Sequence, residues 1–332
     1  MVPRAWILDV GHGNSTVIED AGCVSIVDGG RRDALIRFLL ERGITRIDSV
    51  IVSHADADHC GGISLLLADP RFRVGEVFVN PDPRQTGTWR DFLSVMIDAR
   101  ERGTQFRLAL NDIDAADVCC GDSRLEVLAP SQDLAARTAV GTTADGKRLD
   151  ANTISAVVRV WARESPRLLL TGDIDRIGFD DLVAHRPELN SDVLVFPHHG
   201  GLPRGADPES FAEAVVRAVD AQLVVFSNSR GQYGTPRPEI VATVLRRGGD
   251  VHIACTQLSQ LCAADAPEPE VGAEDWLPMA AVSPSRCAGT LMISLAESFS
   301  YRPSRTSHSA FISNHAPTAL CMRQPLQGSA SG

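Results

Sequence analysis

The run Ser53-His54-Ala55-Asp56-Ala57-Asp58-His59 constrains this chain more than any other segment. It follows the apolar stretch Ser49 to Val52, whose composition predicts a buried strand, so the run begins where a strand stops. Four ligand-type side chains, His54, Asp56, Asp58 and His59, fall within six residues. Two carboxylates placed so close repel, and burying them is costly unless a cation offsets their charge. A loop that turns both pairs toward one point therefore predicts a divalent metal site. A solvated polar loop is the plain alternative.

The surrounding pattern is α/β. Strands are predicted at Trp6 to Val10, Ser15 to Glu19 and Val24 to Val27, a helix over Asp33 to Arg42, a further helix opening at Gly61-Gly62, and a strand over Val74 to Val79. An amphipathic helix over Thr88 to Arg102 precedes strands at Asp122 to Leu128 and Thr153 to Val160, which flank a polar loop from Ser131 to Asp150 that could lie over the site. Farther on, two strands again end in polar residues. Arg167 to Leu170 runs into Thr171-Gly172-Asp173, and Asp192 to Phe196 into Pro197-His198-His199-Gly200. Helices at Pro208 to Val219 and Glu239 to Arg247 alternate with strands at Leu223 to Ser227 and Val251 to Cys255.

The length of 332 residues, 44% of them hydrophobic, suffices for one large domain. Residues 1–297 are read as that domain and 298–332 as a low-complexity, poorly ordered tail. A formal charge of −10 gives no general attraction to a polyanion, so a nucleic-acid substrate would need cations placed locally. The eight cysteines lack the density of a secreted disulfide scaffold, and no window approaches the roughly 18 apolar residues of a membrane span. The expectation is a cytoplasmic chain with reduced thiols and no membrane span. Cys255, Cys262 and Cys287 could join His252 in a small zinc site, although His252 and Cys255 should face opposite sides of a strand.

The run Ser53 to Gly62 resembles the HxHxDH motif of the metallo-β-lactamase superfamily, in the HxDxDH variant of ComEC-type competence proteins. Leu8 to Asn14, Val27 to Gly30, Leu170 to Asp173, Pro197 to Gly200 and Tyr233 to Pro236 match the same branch in order, over roughly residues 5 to 295. The resemblance implies an αββα sandwich with the metals at one edge between the sheets. By that likeness His54 and Asp56 hold one ion, Asp58, His59 and His198 the other, and Asp173 bridges them. Asn152 stands where a further histidine is common and is assigned as a weak oxygen ligand. His199, Asp9, His12, Asp28, Asn228 and Tyr233 are assigned to the surroundings of the metals or to substrate, with Asp58, Asp173 and His199 as the catalytic group. Gly201 and Thr235 depart from the branch, which carries serine and histidine there.

A bridging carboxylate keeps paired ions about 3.5–4 Å apart, and Asp173 at a strand end suits that task. Asp56 in place of an imidazole, with Asn152, moves the ligand set toward oxygen, which suits Mn²⁺ or Mg²⁺ alongside Zn²⁺. The reading that follows is a soluble, stand-alone metal-dependent hydrolase, a phosphodiesterase or nuclease in which a hydroxide shared by the ions attacks phosphorus. Two alternatives stay open: a hydrolase of a small ester, thioester or lactam, and a catalytically weak partner-binding protein with a structural metal. Some relatives resemble components of phage-defence loci, so a defence role and an operon-encoded partner are among the options the resemblance implies.

Overall fold

The computed structural model describes residues 2–112, 118–138, 140–202, 207–247, 250–265 and 285–322. The first half builds β1 (Arg4–Ile7), β2 (Ser15–Asp20), β3 (Cys23–Gly29), α1 (Ala34–Glu41), β4 (Arg46–Ile51), α2 (Ala57–Ala68), β5 (Arg73–Phe78), α3 (Gly87–Glu101) and β6 (Gln105–Arg107). Then come β7 (Val118–Cys120), β8 (Ser123–Ala129), α4 (Gln132–Arg137), β9 (Val157–Ala162), β10 (Ser165–Leu170), α5 (Arg176–His185) and β11 (Val193–Val195). The chain continues through α6 (Pro208–Val219), β12 (Leu223–Phe226), α7 (Pro238–Arg246), β13 (His252–Cys255), β14 (Leu291–Ser294), β15 (Tyr301–Arg302) and α8 (Arg305–His315).

One sheet has eight strands in the order β15-β14-β1-β2-β3-β4-β5-β6 and the other seven, β13-β12-β11-β10-β9-β8-β7. Alternate side chains of each strand point to opposite faces, and both faces are covered, which is why the strands read as nearly continuous apolar runs. Ile7, Val27 and Ile51 meet Val158, Leu168, Leu170 and Val195 between the sheets. Their neighbours Trp6, Ile26 and Val50 turn outward onto Phe38, Ile63 and Phe92 of α1, α2 and α3. On the far side Leu169, Leu194 and Val224 pack on Phe179, Phe211, Val215 and Val241 of α5, α6 and α7. This is the αββα sandwich. Full burial of such a side chain contributes roughly 1.5–3 kcal/mol, so these three layers hold the sheets together without help from a metal.

Strands β3 to β6 pair in parallel, as do β10 to β13, with Val27 level with Ile51 and Leu170 level with Val195. Their carboxyl ends therefore finish along one edge, and the loops leaving them meet there. Helix α2 starts at Ala57, four residues before Gly61, so Asp58 and His59 belong to its first turn. The 150–155 segment is a turn and not the start of a strand, since β9 begins at Val157. The loop 131–150 contains α4, and Leu134 and Leu149 form a small separate core with Ala151 and Ile154.

Two expectations need correction. The segment from residue 298 is not a structureless tail, because β15 extends the first sheet and Ile312, Ala316 and Leu320 join the core beside α7. Its Ser- and Arg-rich composition hid an α8 whose apolar contacts are few; residues 323–332 lie outside the described set. The thiols are not all reduced either. Cys23 of β3 and Cys120 of β7 form a disulfide between the sheets, with Cα atoms 5.3 Å apart. Their sequence separation of 97 residues gave no hint of that proximity.

Candidate metal centre

The site assembles where β3, β4, β10, β11 and β12 end. Asp28, at φ +59°, closes β3 and accepts three hydrogen bonds or ring contacts: from the Ser53 amide at 2.7 Å, from Ser53 Oγ at 2.8 Å, and at 2.8 Å from His59 Nδ1. With Nδ1 donating to that carboxylate, His59 presents its Nε2 lone pair to the centre. His59 Nε2 lies 3.2 Å from Asp173 Oδ1. Two glycines allow the close approach. A Cβ on Gly13, at φ +133°, would sit 2.2 Å from the Asp58 carbonyl, and one on Gly172, at φ +51°, would sit 2.4 Å from Ser155 Oγ.

Asp173 stands behind β10, its amide donating to Ser155 Oγ at 3.1 Å. The Pro197-His198-His199-Gly200 turn crosses it. The two side chains do not diverge as neighbours on an extended backbone would, because both residues adopt left-handed conformations, φ +54° and +57°, and both rings reach Asp173. His198 Nδ1 lies 3.0 Å from Oδ2 and His199 Nε2 3.3 Å from Oδ1. His199 is buried, with Nδ1 2.8 Å from the Ser227 carbonyl, and so turns Nε2 inward. It also lies 3.5 Å from Asp58. His198 is partly exposed.

Among the described residues, one oxygen or nitrogen from each of Asp58, His59, Asp173 and His199 lies within 4.8 Å of all the others. The structure thus groups His199 with Asp58, His59 and Asp173, and places the partly exposed His198 against the other oxygen of Asp173. Asp173 Oδ1 and the Nε2 atoms of His54, His59 and His199 are buried without a hydrogen bond. Such orphans are costly unless something binds them, so the residues fit a divalent ion. Burial works to raise the carboxyls of Asp58 and Asp173, yet the His199 and His59 rings hold both well below their ordinary range. Burial likewise opposes charge on His199, but Asp173 lifts it to about 9.

The other expected ligands are placed differently. His54 is buried, its Nδ1 3.1 Å from Ser53 Oγ and 3.3 Å from Ser155 Oγ, and its Nε2 is 3.6 Å from Asp56. Asp56 is engaged by Arg84, whose Nη2 lies 2.6 Å from it and 2.6 Å from Asp82. Burial is outweighed there by His54 and Arg84, which bring Asp56 down to about 2. Asn152 sits in the 150–155 turn, where its backbone amide donates to Asp150 at 3.0 Å and its backbone carbonyl accepts from the Ser155 and Asp175 amides.

His12 reaches the centre, with Nε2 3.3 Å from Asp58 and its ring 4.3 Å from those of both His199 and Tyr233. Burial and the neighbouring His199 push its pKa down to about 4. Tyr233 is 70% exposed at the mouth. Asp9 accepts from the Gly11 amide and from Gln257, and Asn228 spans Thr256 and the Thr235 carbonyl, so both shape the loops around the site. Arg84, Ser53 and Ser155 escaped the sequence reading; Ser53, inside the motif, was the one that could have been found.

Residues 8–77 match the family profile described as metallo-beta-lactamase superfamily. The chain is 25% identical over 218 residues to ComE operon protein 3 of Bacillus subtilis (strain 168), covering 64% of this chain and 24% of that protein. It is 28% identical over 199 residues to competence protein ComA of Neisseria gonorrhoeae, covering 58% of this chain and 23% of that one. The matched region is thus about a quarter of each relative. The metallo-beta-lactamase fold protein YhfI from Bacillus subtilis superposes with a TM-score of 0.47 at 11% identity, over 76% of this chain and 96% of that one.

The likeness to the metallo-β-lactamase superfamily thus lies in residues 8–77, which hold the His54 to His59 run, and the wider similarity runs to the competence proteins. Among the described residues, no helix is long and apolar enough to cross a membrane.

Proposed function

We propose that the chain hydrolyses phosphodiesters, with nucleic acid or a nucleotide as the substrate class, and that Mn²⁺ serves it at least as well as Zn²⁺. One observation carries this reading: two of the four residues that converge within 4.8 Å are carboxylates, an oxygen share that suits harder ions and phosphoryl chemistry. Asp58, His59, Asp173 and His199 would hold one ion, and His54, Asp56 and Asp173 a second. Bound ions would neutralise charge on the phosphoryl oxygens and supply a nucleophile at neutral pH.

The protein's own groups set the rest. Asp28 and the Ser227 carbonyl fix the ring faces of His59 and His199, so the inward nitrogens need no reorganisation. Arg84, shared between Asp56 and Asp82 at the rim, is the local cation that an acidic chain needs to meet an anionic substrate. His198, anchored on Asp173 by Nδ1 and half-exposed, keeps its other ring nitrogen for the leaving-group proton. Tyr233, exposed beside His12, offers a flat face to a base or sugar.

The test is turnover of bis-p-nitrophenyl phosphate and single-stranded DNA with Mn²⁺, Mg²⁺ or Zn²⁺ added to metal-stripped protein. Cleavage that an Asp58→Ala variant lacks supports the proposal. Turnover confined to ester, thioester or lactam reporters overturns it, as does metal binding with no turnover of any of them.

A further inference from the structure

The core beneath α7 and α8 gathers cysteines from separate stretches of chain. Cys255 ends β13, and Cys262 lies in the turn that follows, its amide on the Ser259 carbonyl at 3.0 Å. Cys287 comes back alongside, with the Cys287 amide on the Thr256 carbonyl at 3.2 Å and the Ala288 amide on that of Cys255 at 2.8 Å. All three line one cavity of about 10 Å³, room for a single water-sized guest, and Cys321 lines it too. None of the four is in a disulfide.

A polar chain enters this apolar pocket from α8. His308, 3% exposed, places Nε2 3.3 Å from Cys287 Sγ. Its Nδ1 lies 2.9 Å from His252 Nε2, and His252 Nδ1 lies 2.7 Å from the Tyr301 hydroxyl. When His308 donates from Nδ1 to His252, and His252 in turn donates to the Tyr301 oxygen, Nε2 of His308 is left with a lone pair facing the thiols. A metal-ligating histidine is oriented in this way by an outer hydrogen bond. Buried cysteines are often only small apolar residues. A histidine aimed at them through two further polar groups is not explained by that role.

We propose that Cys255, Cys262, Cys287 and His308 form a second metal site, thiolate-rich and structural, that takes Zn²⁺ and ties α8 to the second sheet. Three thiolates and one imidazole match the Cys₃His set of tetrahedral zinc, and their softness separates them from the oxygen-rich first centre. Binding turns the three cysteine side chains inward about their Cα–Cβ bonds and releases their three protons to solvent, while His308 coordinates in its neutral form. His252, expected from sequence to be the ligand, instead faces His308 and Tyr301 and positions the true one.

The experiment loads the full, reduced, metal-stripped chain with Co²⁺ and reads the thiolate-to-cobalt charge-transfer absorption, which a centre of His and Asp ligands cannot produce. The wild type and Asp58→Ala should both show the band, so failure of the first centre does not mask the second. Cys287→Ser and His308→Ala should each lose or strongly weaken it and lower the zinc content of protein isolated without chelator. Cys321→Ser should leave the band intact. No band in the wild type overturns the proposal. So does a band that survives both Cys255→Ser and Cys287→Ser, or a Cys255–Cys287 disulfide found by mass spectrometry in zinc-free protein isolated without reductant.

Discussion

Asp58, His59 and His199 converge with Asp173 as one side of the candidate site, His54, Asp56 and Asn152 are the residues assigned to the other, and the protein supports the two sides differently. On the first side each ring is fixed by a group of its own, Asp28 behind His59 and the Ser227 carbonyl behind His199, and the inward atoms are left without hydrogen bonds. On the second, Arg84 occupies Asp56, the turn engages Asn152 through its backbone, and His54 keeps an unbonded ligand atom. Preorganisation costs the folded state buried, unpaired groups, and this chain carries that cost for one ion's ligands but not for the other's. One tight and one exchangeable ion is the expected behaviour.

The largest test of that asymmetry removes a group from the well-built side. Asp58→Ala and His199→Ala should each lower metal affinity and phosphodiester turnover by more than the roughly 10–100-fold that loss of an outer partner causes. His198→Ala should reduce turnover less than His199→Ala and leave calorimetric metal affinity nearly unchanged. Equal losses in the two variants would erase the distinction drawn from the turn. Next in size is Asp28→Asn, which keeps the shape but weakens the brace on His59; a loss of about 10–100-fold in affinity for the tighter ion is expected, with an unchanged circular dichroism spectrum.

How far these roles could be read in advance depends on whether a residue's partner lies close in sequence. The strand-ending motifs around His54 to His59, Asp173 and His198-His199 were legible because apolar strands and their polar ends are local patterns; the alternation carried the α/β class, and the sandwich came from the resemblance of those motifs. The choice between His198 and His199 was not. It turns on two consecutive left-handed residues packed over Asp173, which depends on Phe226 and Pro236 crowding Gly200 from distant strands and loops. Arg84 was invisible for the same reason: nothing between β5 and α3 announces that its guanidinium returns to Asp56, 28 residues earlier. The Cys23–Cys120 bond and the meeting of His308 with Cys287 likewise join strands or helices that only the packed sheets bring together.

Smaller effects belong to the less prepared side. Arg84→Gln removes the charge that holds Asp56, so the second equivalent of Mn²⁺ should bind tighter, by roughly 10-fold for the 1.4 kcal/mol of a charge-assisted bond no longer lost on binding. Turnover of an anionic substrate should nevertheless fall, because the same change deletes the rim cation. An unchanged second equivalent would mean that Asp56 is not a ligand at all.

The smallest expected effect is that of Asn152→Ala. If the asparagine's part is confined to the turn in which its amide meets Asp150 and its carbonyl accepts from Ser155 and Asp175, truncating the side chain leaves those backbone bonds in place. Both metal equivalents should then bind within about twofold of wild type, well inside the 1.4 kcal/mol that a tenfold change represents. Ser155 bonds the Asp173 amide, so any disturbance of the turn would reach the bridging carboxylate first and would show as a loss at both equivalents together. A loss at the second equivalent alone would instead restore Asn152 as a ligand and make the two sides of Asp173 more alike than their hydrogen bonds indicate.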